Sequence, residues 1–209
     1  MANKNYISDE LLAAYLEGNV NEKEMTQVLQ AAKTDAELRE ALDIALQLDE
    51  EEQPLQMAAE GGRNLCEVQC EAYVLKRCGI DCSVEELLEL AKENHWIKRA
   101  GTPLQYMGNL LEYKGLKVNR KYEATIDNIR EAIQSDGNVI VAVDCDKLYP
   151  ERPDEEDATN HAVVIIGLNT ETVTIYDPGD NIEVDIKMLL FINAWKESRC
   201  YMVCATATE

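Results

Sequence analysis

Residues 161–178 read HAVVIIGLNTETVTIYDP. Two β-branched, apolar runs flank Leu168-Asn169-Thr170, a pattern that predicts an antiparallel hairpin. Pairing Val163 with Ile175 and Ile165 with Val173 sets His161 directly opposite Asp177. Opposed residues on one face of a sheet have Cβ atoms ~5 Å apart. An aspartate there accepts a hydrogen bond from one imidazole nitrogen, fixes the tautomer and leaves the other nitrogen as a base. A register change of two residues keeps the pair on one face, whereas a slip of one separates it.

Further strands are predicted around this hairpin at NVIVAVD (138–144), IEVDI (182–186) and CYMVCATAT (200–208). Helical patterns precede them. One covers about 65–78, a second follows Ser83, a third starts at Thr102-Pro103 and stops at Gly115, and a fourth covers 125–135. Helices first and strands after predict an α+β domain with an antiparallel sheet. The segment KLYPERPDEEDATN (147–160) reads as a long acidic loop, of a length that often carries function. The N-terminal part reads as three short amphipathic helices, capped by Ser8, by Asn21 with Glu24 at capping-box spacing, and by Thr34. DEEEQP (49–54) then reads as a charged linker. The expected organisation is a helical interaction module over 1–52 and the α+β domain over 53–209.

The formal net charge is -20, and half of it falls in the first 62 residues. Such a field repels phosphate backbones and anionic lipid, which argues against nucleic-acid or membrane-surface partners and favours basic ones. No apolar run approaches the ~18 residues of a membrane span, and no signal peptide is read at the N-terminus. The expected location is cytoplasmic. Seven cysteines are an odd number lying within elements, which suits free thiols in a reducing compartment.

Three of the cysteines fall in NLCEVQCEAYVLKRCG (64–79). With Asn64 as N-cap and Glu67 at capping-box spacing, Cys66 takes the second helical position. Unpaired backbone N–H groups and the helix dipole favour a thiolate there. Cys70 lies a turn further on and Cys78 near the C-terminal end, so Cys66 is the one placed as a nucleophile. Cys66, His161 and Asp177 together offer a Cys-His-Asp solution to acyl transfer. Two other readings stand beside it. Buried free cysteines are common core residues. Cys66, Cys70, Cys78 and Cys82 also form a C-x3-C-x7-C-x3-C series, but one continuous helix cannot fold the second pair onto the first, so no metal site is expected. Cys200 and Cys204 share one face of a strand and read as core. No cofactor is expected.

The segment 64–80 resembles the catalytic-cysteine segment of the bacterial double-glycine leader peptidases and their relatives in the papain-like clan. GTPLQYMGNLLEYKGLKV (101–118), NVIVAVD, HAVVIIGLNTETVTIYDPGD (161–180) and MLLFINAW (188–195) resemble that family's later landmarks, in its order. The resemblance implies a papain-like fold, a peptide or protein substrate, Cys66 as nucleophile, His161 as general base and acid, and Asp177 orienting His161. The family's oxyanion glutamine is replaced at its usual place by Glu60, and Gln56 is the substitute candidate. Glu67 stands where the family has glycine, an expected crowding of the substrate. These departures leave a second reading, an inactive papain-like protein that binds a partner through its N-terminal helices and acidic surface. Residues 7–46 are similar to the N-terminal helices of zinc-finger anti-sigma factors without the metal ligands, which implies a metal-free interaction module with a protein partner.

Overall fold

The computed structural model describes residues 7–16, isolated positions between Val20 and Leu38, and then 65–98, 101–151 and 160–208. The chain divides into two compact units, Met1–Gly61 with Pro103–Gln105, and Gly62–Thr102 with Tyr106–Glu209. In the first, helix α1 covers Asp9–Leu16. Ser8 Oγ accepts from the Leu11 N–H at 3.2 Å. Asn21 and Glu24 exchange side-chain-to-backbone hydrogen bonds at 2.9 and 3.0 Å, the capping box expected from their spacing. The expected Thr34 cap and the 49–54 linker lie outside the described residues.

The second unit contains helices α2 (Cys66–Arg77), α3 (Val84–Glu93), α4 (Asn109–Tyr113), α5 (Ile126–Gln134), α6 (Cys145–Leu148) and α7 (Met188–Trp195). Its strands are β1 (Lys117–Lys121), β2 (Asn138–Asp144), β3 (Asn160–Leu168), β4 (Thr172–Asp177), β5 (Ile182–Lys187) and β6 (Met202–Thr206). They form one antiparallel sheet in the order β1-β6-β2-β3-β4-β5. This is the expected α+β architecture of helices with an antiparallel sheet.

Strand alternation sends side chains to two helical layers. Val139, Val141, Val143, Val163, Ile165, Val173 and Ile175 bury one face against Ile129 of α5 and Phe191, Ala194 and Trp195 of α7. Cys200 and Cys204 pack against the same cluster, as core residues. The intervening Ile140, Ala142, Ala162, Val164, Val203 and Ala205 are also buried, toward α2 and α4. There Cys70 Sγ donates to Ala162 O at 3.3 Å, and the Tyr73 ring stacks on Tyr176 with centroids 3.9 Å apart.

Two elements differ from the sequence reading. Strand β1, KVNRK, alternates exposed and half-buried positions and carries three cations, so it has no apolar signature; pairing with β6 makes it a strand. The single helix expected from Pro103 to Lys114 is broken. A 3-10 turn covers Leu104–Tyr106, and the α-helix begins only at Asn109. The cause is Gly108, which sits in the left-handed region at φ 85°.

A Cβ at Gly108 would lie 2.7 Å from Val203 Cγ1 and 3.0 Å from Val118 Cγ1. Gly108→Ala therefore combines left-handed strain of ~1–2 kcal/mol with overpacking of ~1–3 kcal/mol. The expected loss is about 2–5 kcal/mol, seen as a lower urea midpoint at unchanged slope. An unchanged midpoint would contradict this packing.

Candidate active site

Cys66 is the first residue of α2, with Leu65 in the cap position, one place earlier in the helix than the spacing suggested. Leu65 has no side-chain oxygen to offer the first-turn amides. Glu67 does not reach back to cap the helix. Its carboxylate accepts from the Gly108 N–H at 3.2 Å, and the residue is 3% exposed, so it is packed away rather than crowding a substrate.

His161 and Asp177 meet, by a different register from the expected one. At the turn, Leu168 faces Val173, where the expected pairing had Ile165, an offset of three residues. The reason is local. Asn169 Oδ1 accepts from the N–H groups of Glu171 and Thr172, and the Asn169 N–H bonds Thr172 O, moving the turn along the chain. An odd offset would put His161 and Asp177 on opposite faces. A bulge between Ile165 and Gly167 takes one residue back. Beyond it Ile165 faces Ile175, an even offset of two, and His161 and Asp177 return to one face as diagonal rather than direct neighbours.

His161 Nε2 lies 2.8 Å from Asp177 Oδ1. A proton on Nε2 leaves Nδ1 free, and the Cys66 thiol is within side-chain hydrogen-bonding reach of His161. Asp177, at the end of β4, is 3% exposed. Its Oδ1 also accepts from the Gly179 N–H at 2.9 Å, and its Oδ2 accepts from the Tyr149 hydroxyl. Burial opposes ionisation of Asp177, but the bonds from His161, Tyr149 and Gly179 outweigh it and hold the carboxyl below its ordinary range. Burial likewise pulls His161 down, and Asp177 with Cys66 reverses this, lifting it to about 10.

Tyr149 was not singled out from the sequence. Asp144 Oδ1 accepts from the Lys147 N–H at 2.9 Å and caps α6, so the segment read as a loop from 147 begins with a helical turn that Tyr149 terminates. The strand-end Asp three residues before Lys147 was the available signal for the turn; nothing in the spacing pointed to Asp177. Gln56 and Glu60 lie outside the described residues. Cys70 is buried, which raises its thiol pKa well above the ordinary value. Cys78 accepts from Asn138 Nδ2 at 3.5 Å. Among the described residues no group of three or more His, Cys, Asp or Glu side chains is arranged to hold a metal, and no helix is long and apolar enough to cross a membrane.

Residues 43–203 match the family model described as Peptidase_C39 like family. Among solved structures, a C39-like peptidase from Bacillus anthracis aligns with TM-score 0.52 and 17% identity, covering 70% of this chain and 90% of that one. The peptidase domain of Streptococcus ComA, a bi-functional ABC transporter involved in a quorum sensing pathway, aligns with TM-score 0.53 and 17% identity, covering 71% and 96%. At this identity the likeness is one of fold. No curated protein matches.

Two titrations follow from the bonding. The stability that charged His161 contributes over His161→Ala is fully present below its unfolded pKa near ~6.5. It is lost as pH rises through about 10, which thermal unfolding against pH measures. Tyr149→Phe removes a donor from an ionised carboxylate, at about 1.5–3 kcal/mol. That deficit is present above the unfolded Asp pKa near ~3.9 and disappears as pH falls through the lower folded value. A deficit independent of pH would mean that the hydroxyl acts elsewhere.

Proposed function

The chain belongs to the Peptidase_C39 like family, and on that premise we propose that it hydrolyses peptide or related amide bonds by a Cys-His-Asp mechanism. The thiol proton passes to His161 Nδ1, giving a thiolate–imidazolium pair, and Cys66 Sγ then attacks the carbonyl carbon. The tetrahedral oxyanion faces the Cys66 N–H and the positive end of α2. His161 then protonates the departing amine, and a thioester joins the acyl group to Cys66. Water, deprotonated by the same imidazole, releases the acid and regenerates the thiol. Asp177 keeps Nε2 protonated and stabilises the imidazolium.

The observation that carries this reading is the 2.8 Å contact between His161 Nε2 and Asp177, with Cys66 in reach of the same ring. A histidine held charged up to about 10 suits a thiolate–imidazolium pair. Gln56 is the proposed side-chain oxyanion donor. The substrate is a peptide or protein, and the net charge of -20 favours a basic one. The N-terminal helices serve as the docking module for a protein partner, and the cytoplasm is the proposed location. The competing reading, a retired site kept for binding, draws on the carboxylate of Glu60 in place of the usual amide.

Iodoacetamide labelling against pH, located by peptide mass spectrometry, separates the two. The expected result is selective labelling of Cys66 at about pH 5–6 that His161→Ala abolishes. Labelling that rises only near the unperturbed thiol pKa of ~8.5, with no dependence on His161, would retire the site.

A further inference from the structure

Glu67 and Glu71 lie one turn apart on α2 and are 3% and 1% exposed. Glu71 accepts from the Gly108 N–H at 3.1 Å and the Leu111 N–H at 2.7 Å. Glu67 accepts from the same Gly108 N–H at 3.2 Å. These amides open α4, so the two carboxyl groups do from a neighbouring helix what a capping side chain does locally. Gly108, the residue in the cap position, has no side chain for the task.

Among the described residues a single cation faces the pair. The groups that face it are Arg120 of β1, Tyr201 ahead of β6, Cys70 of α2 and the Thr102 hydroxyl. Arg120 is the one cation among them, and its guanidinium is spent elsewhere. It donates to Met107 O at 2.9 Å, to Asn109 Oδ1 at 2.7 Å and to Glu112 Oε2 at 3.1 and 3.2 Å. Glu67 Oε2 is buried and finds no hydrogen bond of good geometry, while Glu71 and the Thr102 hydroxyl lie near enough to ease its ionisation. Two carboxylates in one buried site each raise the cost of ionising the other. Burial raises both groups, and the charge of Glu67 and its bond to Glu71 add to the rise at Glu71; Glu71, Gly108, Thr102 and Arg120 offset part of it at Glu67, and Leu111 and Gly108 part of it at Glu71.

We propose that Glu67 and Glu71 are positioning residues that share one proton and lock the Cys66 end of α2 onto the start of α4. The inference rests on the peptidase reading, because its consequence falls on the nucleophile one residue away. With one proton the pair is an acid beside a carboxylate, satisfied by two amides. Without it two like charges occupy the site, the first turns of α2 part from α4, and the sulfur moves out of line with His161. The stability the shared proton contributes is full below the ordinary Glu pKa of ~4.3 and is lost as pH rises through the raised folded value.

The test uses the full chain as wild type, Glu67→Gln and Glu71→Gln. Each substitution keeps a carbonyl for the amides and removes the second charge. Carbon-13 NMR of the glutamate carboxyls in the wild type reads the pair without any substitution. The expected spectrum retains one protonated carboxyl at neutral pH. Thermal midpoints should fall with rising pH more steeply in the wild type than in either variant. The wild-type rate of Cys66 alkylation, divided by the rate of E67Q, should drop at least about threefold across the pH at which the carboxyl spectrum shows the shared proton leaving, as expected for like charges in one buried site. Both carboxyls titrating at ordinary values would overturn the shared proton. A shared proton with a reactive Cys66 whose rate ratio ignores pH would overturn the positioning role alone. A Cys66 inert at every pH in the wild type would sink the peptidase reading and the positioning role with it, leaving the proton a structural fact.

Discussion

The parity of one β-ladder governs the site. A strand presents alternate side chains to opposite faces, so two residues on paired strands meet only if their register differs by an even number. The Asn169 turn alone would separate His161 from Asp177. The bulge between Ile165 and Gly167 restores the pairing at the cost of one residue left out of the ladder. The same parity sends Val163 and Ile165 into the core with Val173 and Ile175. The hydrophobic layer and the catalytic candidates are therefore solved by a single irregularity. Any change that removes the bulge exposes apolar side chains as it dissolves the pair.

The second requirement is that α2 be held end-on to that pair. A buried thiol-to-carbonyl bond from Cys70 to Ala162 and the stacked rings of Tyr73 and Tyr176 tie its flank to β3 and β4. Glu67 and Glu71 tie its opening turns to α4. The buried carboxyl groups thus form two separate systems, one at the end of β4 and one on α2. On one side a carboxylate with three donors, Asp177, is held ionised. On the other, Glu67 and Glu71 compete for the Gly108 N–H, and the proposed shared proton replaces the second charge. The difference lies in the supply of N–H and O–H groups, since burial acts in the same direction on all three.

Apolar alternation made β2 to β6 legible with errors of one or two residues, and the caps at Ser8, Asn21 and Ser83 were readable because each depends on a spacing of three within one segment. Strand β1 escaped because its character comes from pairing with β6, a contact distant in sequence. The pairing of His161 with Asp177 was legible as parity, while the turn and the bulge were not, because Asn169 selects the turn through its own side chain. Tyr149 and the role of Glu67 were hidden for another reason. Both act across elements, and Glu67 had a plausible local use as a capping residue that the fold does not adopt.

Gly108 couples these constraints at the level of inheritance. Its backbone serves two glutamates, its missing side chain admits Val118 and Val203, and its left-handed angle begins α4. A lineage that loses either acid relaxes the demand for an open amide at 108, and a lineage that gains a side chain at 108 strands both acids. Positions 67, 71 and 108 are thereby linked, so drift at any one of them is channelled by the other two.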